Sequence, residues 1–236
     1  MKKIFILGSL LTMGLLLNGC GEDDTKETSD NNRTQQPVML KYKVTVSNLT
    51  YGQPMSPIAV AYHDMGTAIF TVGQKATVGL EMLAESGDNK AFLSELSKET
   101  FIATTIGGTK LIKPSEKDTV MIESQEAECI SVASMFVNTN DGFVGINCVN
   151  VSKMQVNDKK IAYLTAYDAG TEANSETKET VAGQKGEGFN ATRDDKDFIS
   201  VHSGVITKDD GLATSALTQN NKWDNPSAFV MIERMQ

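Results

Sequence analysis

The chain has 236 residues, with 30 Asp and Glu against 22 Lys and Arg, a formal charge of −8. That balance argues against nucleic acid as a partner, because neutralising phosphates takes clustered Lys and Arg. Three cysteines and two histidines, His63 and His202, without ligand-type spacing also argue against a structural zinc site.

Met1-Lys2-Lys3 leads into an apolar run, Ile4 to Leu17, interrupted only by Gly8, Ser9, Thr12 and Gly14, and the run ends in Leu17-Asn18-Gly19-Cys20. The run is shorter than the roughly 20 apolar residues of a spanning helix and has the layout of a signal peptide. A small residue before a cysteine reads as a bacterial lipoprotein signal: residues 1–19 are removed and Cys20 takes the diacylglyceryl group. The alternative is an ordinary secretory signal with a chance cysteine. Loss of Lys2 and Lys3 leaves 20 basic side chains against 30 acidic. Gly21 to Gln36 contains no large apolar residue, so 20–37 reads as a lipidated cysteine plus flexible spacer. Glu22-Asp23-Asp24 reads either as a sorting cue toward the outer surface or as solvated spacer. The expected location is the cell envelope, as an outer-membrane lipoprotein facing the periplasm or the cell surface.

Residues 38–236 carry mainly strand signals. Leu40, Tyr42, Val44 and Val46 alternate with Lys41, Lys43, Thr45 and Ser47, the period of a strand with one buried face. Further strands are expected at 68–72, 100–106, 120–123, 130–137, 143–151, 160–166, 198–206 and 228–234. Between 74 and 98 the spacing changes: Val78, Leu80, Leu83, Phe92, Leu93 and Leu96 recur at helical intervals broken at Ser86-Gly87-Asp88, which predicts two short helices. Segments 171–197 and 207–225 read as long loops. The expected class is all-β, an antiparallel β-sandwich with a small helical insertion near 74–98.

Cys129 and Cys148 flank the turn-rich Asn138-Thr139-Asn140-Asp141-Gly142. Export places them in an oxidising compartment, where a pair usually forms a bridge. A hairpin centred between Asn138 and Thr139 sets them opposite each other, whereas a turn centred at Asn140 leaves a slip that a bulge must absorb. Two free buried thiols are the alternative. No nucleophile elbow, His-Glu-x-x-His, phosphate loop or paired Cys and His is present, so the chain is expected not to be an enzyme.

Tyr42-Lys-Val-Thr-Val-Ser-Asn-Leu-Thr-Tyr-Gly-Gln-Pro-Met-Ser-Pro57, His63-Asp64 and Leu83-Ala-Glu-Ser-Gly-Asp88 resemble the opening of the spondin N-terminal domain. Asp168-Ala-Gly-Thr-Glu172 looks like that family's Asp-Ala-Gly-Thr-Asp segment, and Trp223-Asp-Asn-Pro-Ser-Ala-Phe-Val-Met-Ile-Glu-Arg234 looks like its closing strand. The resemblance implies a sandwich similar to calcium-dependent membrane-binding domains. It also implies a calcium ion held at one end by Asp141, Asp168 and the backbone carbonyl of Leu164. Calcium takes six to eight hard oxygens, and Asn138, Asn140, Thr171 and Glu172 are candidates to supply more. Without the resemblance, Asp168-Ala-Gly is a plain turn with Asp bonding its own backbone. Two departures loosen the pattern: the family's Pro-Asp-Trp is Asn140-Asp141-Gly142 here, and Tyr167 stands where Trp is common.

The expected function is a calcium-binding, adhesion-like module, attached to a membrane through its lipid and meeting a protein or glycan partner. The alternatives are a periplasmic structural or assembly lipoprotein, or an uncharacterised hydrolase.

Overall fold

The computed structural model describes residues 38–125 and 128–236. The expected signal peptide, Cys20 and spacer lie outside the described residues. Among the described residues, nine strands are joined in one antiparallel network: β1 (Leu40–Asn48), β2 (Ala59–His63), β3 (Ile102–Gly107), β4 (Lys117–Ser124), β5 (Cys129–Met135), β6 (Gly142–Asn150), β7 (Lys159–Asp168), β8 (Ser200–Val201) and β9 (Ala228–Arg234). The order is β3-β2-β5-β6-β7-β9-β1-β4, with β8 added to β7. Strand β7 belongs to two layers. Its first half, Lys159–Leu164, pairs with β9, and its end, Thr165–Asp168, pairs with β6. The strands therefore form a sandwich joined through β7, and edge strands β3 and β4 approach each other so that the sheet nearly closes.

The core between the layers follows the alternation in the sequence. Tyr42, Val44 and Val46 of β1 point inward with Val120, Ile122, Val230 and Ile232 of the same layer, against Val60, Tyr62, Ile130, Val132 and Val144 of the other. Burying each such side chain is worth roughly 1.5–3 kcal/mol. On the outer face, Lys41 pairs with Glu123 and Lys43 with Glu233, one strand across in the register.

The helical insertion lies where expected. Helix α1 (Val78–Ser86) is capped by Thr77, whose hydroxyl accepts from the Leu80 N–H, and ends at Gly87 in the left-handed conformation. Asp88 then caps α2 (Asn89–Leu96) by accepting from the Lys90 and Ala91 N–H groups. Leu80, Leu83, Ala84, Phe92 and Leu96 cover the outer face of the β2–β5 layer, against Ala59, Ala61 and Ala133.

That cover explains the strand missing from the sequence reading. β2 is buried along its whole length: Val60 and Tyr62 face the sandwich interior while Ala59 and Ala61 lie under the helices, which removes the period-two signal. Residues 68–72, expected as a strand, are irregular. The Ile69 N–H donates to Asn147 Oδ1 and the Phe70 carbonyl accepts from Asn147 Nδ2, so one side-chain amide replaces a ladder, and the Phe70 ring packs edge-on to Phe143 and Tyr167. Of 198–206 only Ser200–Val201 pairs as strand. Ile199 instead exchanges backbone bonds with Gly73 and Gln74, and Gly204 turns the chain at φ +97°.

Cys129 and Cys148 form a disulfide with their Cα atoms 4.5 Å apart. The ladder sets Cys129 opposite Asn150, not Cys148. Between the Ile130–Val149 and Val132–Ile146 pairs, Ser131 alone faces both Asn147 and Cys148, a bulge that absorbs the slip. Cys148 takes φ +49° there and its N–H donates to Ser131 Oγ.

Candidate metal centre

Strand register builds the site. Gly142, the first residue of β6, pairs with Asp168, the last of β7, so Asp141 and Asp168 meet where the two strands run out. The ladder continues one step further as the Ala169 N–H donates to the Asp141 carbonyl. Gly170 then turns the chain at φ +71°, and a Cβ there would lie 2.3 Å from the Phe198 carbonyl oxygen. The tight Asp-Ala-Gly turn is what aims the following N–H groups back at Asp141.

Asp141 is fully buried. Its Oδ2 accepts from the Thr171 N–H at 2.7 Å, the Glu172 N–H at 3.2 Å and the Thr171 hydroxyl at 3.3 Å, while its Oδ1 is buried without a hydrogen-bond partner. Burial, then the charge of Asp168, pushes the Asp141 carboxyl up to about 7 against the pull of those N–H groups. Asp168 Oδ1 accepts from the Gly170 N–H at 2.8 Å and from Lys196 Nζ at 3.1 Å, and its Oδ2 accepts from Asn174 Nδ2 at 2.8 Å. Lys196 is thus a resident counter-charge to an otherwise acidic pair.

Further acids surround the two aspartates. Burial, then Glu85, raises Glu172 to about 8, with Asp141 also contributing. Burial, then Asp168, raises Glu176 to about 7. Its Oε1 accepts from the Ile206 N–H, and its Oε2 is buried without a partner. Glu85 reaches this region from α1, accepting from the Asn190 N–H at 2.8 Å.

The other residues singled out in the sequence fall in different places. Leu164 is buried in the sandwich opposite Ala228, and four residues of strand, roughly 13 Å, separate it from Asp168. Calcium–oxygen distances are about 2.3–2.6 Å, so its carbonyl does not reach a cation held by the aspartate pair. Asn138 is spent on the scaffold: its N–H donates to Gln53 Oε1 and its Oδ1 accepts from Gln184 Nε2. Asn140 Oδ1 accepts from the Glu176 N–H at 3.1 Å. His63 is far along β2, with Nδ1 near the Asp64 carbonyl and Thr67 Oγ1 and Nε2 2.6 Å from Ser131 Oγ. His202 stacks edge-on to Trp223, and its Nδ1 accepts from the Gly204 N–H. A cleft of about 650 Å³ lies elsewhere, at the β3–β4 edge beside Phe101, Thr104 and Glu123.

Among the described residues, no three His, Cys, Asp or Glu side chains stand at metal-holding distances from one another. The donor set nevertheless has the chemistry of a hard-cation site: carboxylate and amide oxygens, with Asp141 Oδ1 buried and unpartnered next to the buried Asp168 carboxylate. Sequence reasoning missed Glu176, Asn174 and Lys196, which lie in the aperiodic segment after β7. The only signal of Glu176 and Lys196 was charge in a stretch otherwise read as loop, and Asn174 had none.

Fold and site together define a disulfide-bridged antiparallel β-sandwich whose acidic loops gather at the shared end of β6 and β7. The chain belongs to the Spondin_N family, whose model matches residues 47–187. This membership indicates an extracellular binding or adhesion-like module. The matched stretch contains Asp141, Asp168, the disulfide and both helices, while β9 and Trp223 lie beyond it. None of the curated proteins compared matches the chain.

Proposed function

We propose that this protein is a non-enzymatic, calcium-dependent binding module held to a bacterial envelope membrane by a lipid on Cys20, with its loop end or sandwich face meeting a protein or glycan partner. The observation that carries the calcium reading is the buried Asp141–Asp168 pair with Asp141 Oδ1 unpartnered. Two like charges out of water are costly, and a divalent cation offsets that cost while using the oxygen that lacks a donor. Asp141 and Asp168 would hold the ion, with Glu172, whose N–H already bonds Asp141, as a source of another carboxylate. The bound ion would supply charge neutralisation that locks the two loops together. His63 supports the non-enzymatic reading, since both its ring nitrogens are bonded to structural partners.

Calcium at about 100 times its dissociation constant should stabilise the fold by about 2.7 kcal/mol if it binds the native state alone. A thermal melt with chelator or with millimolar calcium reads this directly. Asp168→Ala should abolish most of the shift, and magnesium should replace calcium poorly because it demands a tighter octahedral shell. A wild-type melting temperature that is the same under both conditions would leave Asp168-Ala169-Gly170 as a turn.

A further inference from the structure

The aspartate pair offers four oxygens, several already engaged, and the Leu164 carbonyl is out of reach, so a calcium ion there is short of ligands. Residues 171–176 hold two more oxygens of the right kind. Asn174 is tied to the site by its Nδ2, which donates to Asp168 Oδ2 at 2.8 Å, and its Oδ1 is buried without a partner. Glu176 is completely buried, with its backbone fixed at both ends: its N–H donates to Asn140 Oδ1, next to Asp141, and its carbonyl accepts from the Ala216 N–H at 2.7 Å. One carboxylate oxygen is used by the Ile206 N–H and the other, Oε2, has no donor. A buried acceptor left unmet keeps the cost of its lost hydration. Three such oxygens, on Asp141, Asn174 and Glu176, belong to residues tied to the Asp168 tip: Asn174 by its hydrogen bond to Asp168, Asp141 through the Gly142–Asp168 strand pair, and Glu176 through its N–H bond to Asn140, next to Asp141.

We infer that Glu176 and Asn174 complete the cation site, supplying a further carboxylate and an amide oxygen to the ion held by Asp141 and Asp168. This rests on the calcium reading above and names ligands that it lacked. Because the described side chains are not already drawn to coordination distance, binding pulls them in. The Asn174 amide turns its oxygen inward, and Lys196 Nζ, which also pairs with Asp195, gives up Asp168 Oδ1.

The test is calorimetric titration of calcium chloride into the full-length, chelator-treated chain in detergent, for wild type, Glu176→Gln, Asn174→Ala and Asp168→Asn. Wild type should bind one ion. Glu176→Gln, which keeps the shape and removes the charge, should weaken binding at least tenfold, Asn174→Ala should weaken it severalfold, and Asp168→Asn should abolish it. Glu176→Asp, which keeps the charge and shortens the reach, should also weaken binding and serves if the glutamine variant does not fold. If Asp168→Asn loses calcium while both Glu176 variants bind like wild type, this inference is overturned and the aspartate pair stands. If wild type takes up no calcium, the underlying reading falls with it.

Discussion

At one side of the long segment after β7, Glu81 of α1 meets Arg193; at the other, Asp141 meets Asp168. Both are buried-acid contacts that hold the same loop, yet they are built oppositely. Arg193 grips Glu81 with two nitrogens, Nε at 3.0 Å and Nη2 at 2.6 Å, adds the Ala76 carbonyl, and extends to Asp197 at 2.7 Å. Its guanidinium is held above its ordinary range, first of all by the Glu81 hydrogen bonds. Asp141, by contrast, has backbone donors on one oxygen and none on the other, with a like charge as neighbour. Glu81 is satisfied by the chain itself, which is what a structural staple requires. Asp141 is satisfied only in part, which stabilises nothing alone and suits a group that awaits a ligand.

The largest effect expected from breaking this contrast is at the staple. Arg193→Ala leaves Glu81 buried and uncompensated, which costs about 3–5 kcal/mol. Its melting temperature should fall by roughly 6–20 °C, and millimolar calcium should not cancel the loss. A fall of only a degree or two would show that the staple is ornamental. Asp141→Asn works in the other direction. The amide keeps an oxygen for the Thr171 and Glu172 N–H groups and turns a donor toward Asp168. The calcium-free protein should therefore gain about 1–2 kcal/mol while its calcium shift disappears. Loss of stability without calcium would mean that Asp141 is as fully satisfied as Glu81.

The smallest effect concerns His63, a buried titratable group that belongs with the satisfied class. Burial lowers its pKa below the ordinary 6.5, so as pH falls the unfolded chain takes up the proton first. The contribution is present above about pH 6.5 and is lost as pH drops toward the folded value. Between pH 7.5 and 5.5 wild type should lose more stability than His63→Gln, read as a difference in denaturant midpoints. Equal losses in both proteins would remove His63 from the comparison.

What could be read from the sequence follows from how each element is buried. β1 has one wet face, so its alternation is legible; β2 has none, so Ala59–His63 carries no period. The helices were legible because Gly87 and Asp88 are a stop and a start in succession. Residues 68–72 have strand composition, but Asn147 provides a local substitute for a ladder that no pattern in 68–72 reveals. At the site, Asp141 and Asp168 were found through family likeness, and the register explains why they meet. The carbonyl of Leu164 was implied by the same likeness, four residues before Asp168, but four residues carry an extended strand too far. Glu176 and Lys196 could not be found by spacing, because a loop without periodicity brings distant residues together through tertiary bonds alone.

Strand β7 has one more consequence. Its first half completes one layer and its second half the other, so no line of cleavage divides the sandwich into halves that could open separately. Detaching its first half opens the layer of β9 and detaching its end opens the layer of β6, so complete loss of β7 disrupts both layers and couples them into one cooperative unit. The amides in the middle of β7 should therefore be among the slowest to exchange. Asp168 terminates this strand, so whatever orders or loosens that tip acts on the element with the most to lose.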